Sequence, residues 1–136
     1  MIHKRPDDFC TSPDLPFRDL AALVNRFSGR CAVVIDEKQR LLGTVTDGDM
    51  RRALLRQSSD QLVAKDVMKS NPWSLPITSP AAEQIDFMRQ RHIYQLPLLD
   101  ADGRVVAIRI SDPLYASPSN DDTLVVLMAG GLGTRL

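Results

Sequence analysis

Cys31-Ala32-Val33-Val34-Ile35-Asp36-Glu37-Lys38-Gln39-Arg40-Leu41-Leu42-Gly43-Thr44-Val45-Thr46 decides the fold, because the pattern recurs in the same chain. At a constant offset of 64 (31 to 95, 46 to 110) stands Gln95-Leu96-Pro97-Leu98-Leu99-Asp100-Ala101-Asp102-Gly103-Arg104-Val105-Val106-Ala107-Ile108-Arg109-Ile110. Each copy is an apolar run ending in Asp, a short polar turn, and a second apolar run. Runs of this length, rich in Val, Ile and Leu and split by a polar turn, predict a β-hairpin. Self-similarity at a fixed offset predicts one structural unit used twice.

Helix signals flank both hairpins. Phe17, Leu20, Ala21, Val24 and Phe27 fall at helical spacing before the first, with Gly29 as the stop. Before the second, Ser79 is the expected N-cap, Pro80 the first helical residue, and Ile85, Phe87 and Met88 the apolar face. After the first hairpin, Thr46-Asp47-Gly48-Asp49 supplies capping residues and acidic charge, and Arg51, Arg52 and Arg56 follow. That polarity complements a helix dipole. The second copy, Ser111-Asp112-Pro113-Leu114-Tyr115, is shorter. Each unit therefore reads helix, strand, strand, helix, an α+β (α/β) organisation. Gln61 to Met68 reads as a short connecting helix broken by Ser70-Asn71-Pro72. The units span 9–57 and, with that connection, 58–116. A polar linker then leads to a third segment at 121–136.

Composition excludes several classes. Lys plus Arg and Asp plus Glu are 17 each, so no net charge draws the chain to nucleic acid or anionic membrane. The apolar run Leu124 to Ala129 is too short to span a bilayer, and the first residues hold no signal-peptide core. Cys10 and Cys31 form no disulfide framework, and His3 and His92 lack metal-ligand spacing. A cytoplasmic protein with reduced thiols and no bound metal is the expectation. Cys31 and the methionines at 50, 68 and 88 read as core residues. No nucleophile–base constellation points to catalysis by this segment, so no catalytic residue is expected in it.

Taken in order, these pieces resemble a tandem CBS-domain pair (Bateman module) from about Phe9 to Tyr115. Val67-Met68-Lys69-Ser70-Asn71-Pro72 looks like the opening of a second repeat, and Leu96-Pro97-Leu98-Leu99-Asp100 like its first strand. Gly43-Thr44-Val45-Thr46-Asp47-Gly48-Asp49 is similar to the family's ribose-binding turn, Gly-x-x-Thr-x-x-Asp. The resemblance implies two repeats packed about a pseudo-twofold axis, in a homodimer, binding AMP, ADP or ATP as a regulatory ligand. Leu127-Met128-Ala129-Gly130-Gly131-Leu132-Gly133-Thr134-Arg135-Leu136 is similar to the opening motif of sugar-phosphate nucleotidyltransferases. That likeness implies that the chain is part of a longer enzyme joining a nucleoside triphosphate to a sugar 1-phosphate. Gly130, Gly131, Gly133, Thr134 and Arg135 would form its nucleotide loop, with magnesium serving the absent catalytic domain. The CBS pair would be its regulatory partner.

The chemistry of the turn fits a nucleotide. One carboxylate, Asp49, can accept hydrogen bonds from both ribose hydroxyls, and ionised acceptors bind strongly. Thr46 offers a hydroxyl, and Gly43 permits close backbone approach. Local sequence alone favours Asp47 or Asp49 as a helix cap, and it is the CBS resemblance that points Asp49 at a ligand. By the resemblance, the other repeat would contribute Tyr94, Gln95 and Leu96, with Ser74 and Leu75. Arg51, Arg91 and His92 are the nearest candidate cations, and Trp73 either stacks on a base or packs in the core. In the second repeat Ala107, Ile110 and Pro113 stand where Gly43, Thr46 and Asp49 stand in the first. At most one good site is therefore expected. The alternative is a structural dimerisation module with a vestigial cleft.

Overall fold

The computed structural model describes residues 2–28 and 30–111. Its elements in chain order are β1 (Ile2–His3), β2 (Cys10–Thr11), α1 (Phe17–Arg26), β3 (Cys31–Ile35), β4 (Leu41–Thr46), α2 (Asp47–Leu54), α3 (Ala64–Val67), β5 (Lys69–Ser70), β6 (Leu75–Pro76), α4 (Ala81–Arg91), β7 (Gln95–Leu99) and β8 (Val105–Ile110). Single 3-10 turns lie at Pro6–Asp8 and Ser59–Gln61. Both repeated runs are antiparallel hairpins, β3 with β4 and β7 with β8. Each carries a register shift at the same place in the repeat, Val34/Ile35 and Leu98/Leu99.

The polar turns are built alike. Asp36 Oδ1 accepts the backbone N–H groups of Lys38 and Arg40 at 2.8 and 2.9 Å. Asp100 Oδ1 accepts those of Asp102 and Arg104, both at 2.9 Å. The Arg40 amide holds the Asp36 carboxyl below its usual range, and the Arg104 amide does the same for Asp100. A depressed folded value means that these bonds stabilise the turns above the ordinary carboxylate range and cease to as pH falls through the lowered value. Gly103 takes a left-handed φ of 83°, and at the equivalent place Gln39 adopts 67°.

The two units are interlocked rather than strung in line. One sheet has the order β2-β3-β4-β5 and the other β1-β8-β7-β6. The start of the chain thus completes the second unit's sheet, while β5, at the start of the second unit, completes the first. Arg40 and Arg104, equivalent by the offset of 64, bridge to each other in antiparallel fashion. A bridge between equivalent residues places the local two-fold relation between the hairpin turns.

Period-two alternation explains why β3 is apolar throughout. Ala32 and Val34 face one core, with Leu20, Leu23 and Val24 of α1, Val45 of β4 and Ala53 of α2. Cys31 and Val33 face a second core between the sheets, with Phe9, Phe27, Val105 and Ile108. A strand buried on both faces has no position for a polar side chain. A third cluster joins Met88 of α4 to Leu96, Leu98 and Ala107. On that side Gln84 and Arg109 are also buried, and Arg109 Nε donates to Gln84 Oε1 at 2.7 Å.

Helix boundaries depart from the sequence expectation in two places. Pro80, not Ser79, is the N-cap of α4: its carbonyl oxygen accepts the first helical bond, from Gln84 N, while Ser79 N–H closes a preceding turn on Pro76 O. Gln61 to Met68 is not one helix: Leu62 and Val63 are extended, and only Ala64–Val67 is α-helical. The backbone there is committed elsewhere, since Leu62 O accepts from Phe17 N and Ala64 N donates to Leu15 O. The helix expected after the second hairpin, Gly29 as a helix stop, Pro113 and the segment 121–136 lie outside the described residues.

Candidate functional site

Strand β4 runs directly into α2, and this junction creates the site. Thr46 has extended φ and ψ and is the N-cap of α2. Asp49, three residues on, turns back over the helix start. Its Oδ2 accepts the Thr46 N–H at 2.9 Å and the Thr46 hydroxyl at 3.0 Å. Its Oδ1 accepts Arg52 Nη2 at 2.6 Å. Residues three apart on a helix are neighbours, which is why Arg52 reaches the carboxylate. The cap reading of Asp49 thus describes a real interaction, with Thr46 as the cap and Asp49 as its reciprocal partner.

Around this junction lies a cleft of about 220 Å³. The first unit lines it with Cys31, Thr44, Thr46, Asp49 and Arg52; the rest of the wall is Lys69, Pro72, Trp73, His92, Ile93, Tyr94 and Gln95. Four of the eight expected ligand residues, Thr46, Asp49, Tyr94 and Gln95, therefore meet in one cavity drawn from both units. The other four do not line it. Gly43 faces the chain instead of a ligand: a Cβ there would sit 2.6 Å from Met68 Sδ and 2.7 Å from the Lys69 carbonyl oxygen. Its role is to let β5 approach β4. Leu96 is fully buried under α4, and Leu75 pairs with Leu98 and packs in the same cluster. Ser74 is half-buried outside the cleft.

Among the cations, Arg52 takes the place expected for Arg51, because i to i+3 spacing carries Arg52 over Asp49 and leaves Arg51 on another face. Arg91 lies 4.7 Å from the Trp73 ring centre and 3.7 Å from that of Phe87, holding the aromatic wall rather than lining the cleft. Trp73 also meets Phe87 edge-on at 5.7 Å while remaining 48% exposed. One face of the indole is thus fixed by packing and the rest borders solvent at the cleft. His92 lines the cleft from the left-handed cap of α4, with φ 54°. Thr44 was legible from period two, since it shares a strand face with Thr46. Lys69 was not, because only the pairing of β5 with β4 sets it opposite Thr44.

Of the second unit's equivalents among the described residues, Ala107 is fully buried and Ile110 packs, partly buried, against the inter-sheet core. Cys10 and Cys31 are free thiols, each pushed up to about 12, first by burial. They remain protonated and act as small apolar residues. Among the described residues no group of three or more His, Cys, Asp or Glu could hold a metal ion. Among them, too, no helix is long and apolar enough to cross a membrane.

Comparison with known proteins agrees with this geometry. The CBS domain family model matches twice, over residues 4–56 and 64–108. Arabinose 5-phosphate isomerase KdsD of Yersinia pestis is 33% identical over 118 residues, covering 85% of this chain and 36% of that protein. The chain spans about a third of the length of the curated relatives it matches. Two solved structures share the fold. The CBS domain pair of protein MJ0100, in complex with 5-methylthioadenosine and S-adenosyl-L-methionine, gives a TM-score of 0.68 at 20% identity, covering 80% of this chain and 87% of that one. CBSX2 in complex with AMP gives 0.64 at 20% identity, covering 79% and 90%. With an α+β fold of two interlocked hairpin units and two matches to one family model, the chain belongs to the CBS-domain family and carries a tandem CBS pair.

Proposed function

We propose that residues 9–57 and 58–116 form a regulatory module that binds an adenosine nucleotide, AMP, ADP or ATP, in the cleft between β4–α2 and the segment before β7. The observation that carries this reading is the convergence of Thr46 and Asp49 from one unit with Tyr94 and Gln95 from the other, beside a half-exposed Trp73. A carboxylate for a ribose, an aromatic wall for a base, and Arg52, Lys69 and His92 for phosphate supply each part of a nucleotide with a partner. The ligands of the two related folds, AMP in one and S-adenosyl-L-methionine in the other, support the choice of an adenosine compound. The test is thermal unfolding with AMP, ADP, ATP, NAD and S-adenosylmethionine. A nucleotide bound only by the native state, at about 100 times its Kd, adds about 2.7 kcal/mol and raises Tm. An unchanged Tm with all five would leave the cleft vestigial.

The module is further proposed to be a homodimer. Leu54 and Leu55, at the end of α2, are 48% and 87% exposed, an apolar edge that a second copy would cover. Light scattering is expected to give about twice the 15.1 kDa chain mass; the monomer mass at all concentrations would remove this reading. The buried protonated thiols fit a reducing, cytoplasmic setting. The motif at 127–136 supports attachment to a sugar-phosphate nucleotidyltransferase domain, and an isomerase acting on a sugar phosphate stands among the relatives.

A further inference from the structure

The acceptor capacity of Asp49 is nearly used within the chain. A carboxylate has about four acceptor sites, two on each oxygen. Oδ2 already takes the Thr46 N–H and the Thr46 hydroxyl, and Oδ1 takes Arg52 Nη2 at 2.6 Å. One site is left, whereas a ribose diol donates two hydrogen bonds. Thr46 cannot yield both of its bonds without uncapping α2. Arg52 can yield: its side chain is 68% exposed and belongs to no core cluster, while that of Asp49 is 14% exposed. The guanidinium also lies close over Gly48, where a Cβ would stand 3.2 Å from Arg52 Nη1, so the missing side chain at 48 lets Arg52 fold back onto the carboxylate.

We propose that Arg52 is the exchangeable counter-ion of Asp49 and the residue that selects phosphorylated ligands. This rests on the cleft being a ribonucleotide site. On entry, the diol takes the Oδ1 position and Arg52 leaves it. A neutral nucleoside gives the released guanidinium nothing in exchange for its ion pair. A nucleotide does, because its phosphate is an anion that a guanidinium fork binds well, in a cleft that Lys69 and His92 also line. The same exchange disfavours a cationic sulfonium ligand, which would face Arg52 and Lys69 unpaired. Arg52 is therefore a specificity-determining residue: it penalises every ribose and compensates only those that carry phosphate.

The experiment is calorimetric titration of AMP and of adenosine into wild type, Arg52→Gln and Arg52→Lys. Wild type is expected to prefer AMP to adenosine by about tenfold or more, the worth of one charge-assisted contact. Arg52→Gln should bind AMP more weakly and adenosine as well or better, lowering the preference by about tenfold. Arg52→Lys should keep part of it, since the charge remains and the fork does not. If wild type binds AMP and the preference is the same in Arg52→Gln, Arg52 does not select and the proposal fails while the nucleotide site stands. If wild type binds neither compound, the nucleotide reading fails and the proposal falls with it. Far-UV circular dichroism of the variants shows that any loss is not unfolding.

Discussion

Leu96→Ala is expected to destabilise the protein by about 2–5 kcal/mol while leaving the nucleotide affinity of the folded molecule unchanged. Leu96 is fully buried in β7, in the cluster with Met88, Leu98 and Ala107. Truncation removes the apolar transfer energy and leaves a cavity between β7 and α4 that a sheet held by β1, β8 and β6 can collapse only in part. The side chain does not line the cleft, although its neighbour Gln95 does. Urea denaturation together with titration of the folded variant separates the two effects. A variant of near wild-type stability that binds nucleotide poorly would return Leu96 to the site and contradict its placement in the core.

Asp49→Ala carries the second large effect, and it falls on binding. Hydrogen bonds to a charged group contribute about 1.5–3 kcal/mol each, so losing both ribose contacts predicts at least a tenfold weaker complex. The same change releases the Thr46 N–H at the start of α2 and costs about 1 kcal/mol of stability. Thr46→Ala should weaken binding less, because a neutral hydroxyl contributes only about 0.5–1.5 kcal/mol. Calorimetric titrations beside denaturation curves check both. A carboxylate that only caps the helix would show the stability loss with no change in affinity.

These two residues mark where the sequence was legible and where it was not. The hairpins could be read because each is a local pattern: alternating apolar residues, an Asp that accepts two turn amides, and a second run. The strands that complete the sheets could not. Ile2–His3 and Lys69–Ser70 are two residues long, and β1 pairs with Arg109 and Ile108, far along the chain. No local periodicity announces such a strand. At the site, Thr46 and Asp49 were visible through a motif, and Arg52 was within reach of helix spacing alone. Leu96, expected beside the ligand by the resemblance, lies in the core, where period two places it. If Gln95 points into the cleft, its strand neighbour must point away. Lys69 and Pro72 enter the cleft only through the interlocking of the units, which is a tertiary fact.

Trp73 makes nucleotide binding in the cleft directly measurable. It is the chain's single tryptophan, it lines the cleft, and Arg91 and Phe87 hold its ring in place. Titrating AMP while following its fluorescence therefore reports on the proposed site alone. A nucleotide held by Asp49 gives a saturable change that fits one nucleotide per chain and shifts to at least about tenfold higher AMP in Asp49→Ala. An emission spectrum that stays the same at all AMP concentrations, or a transition identical in Asp49→Ala, would contradict it.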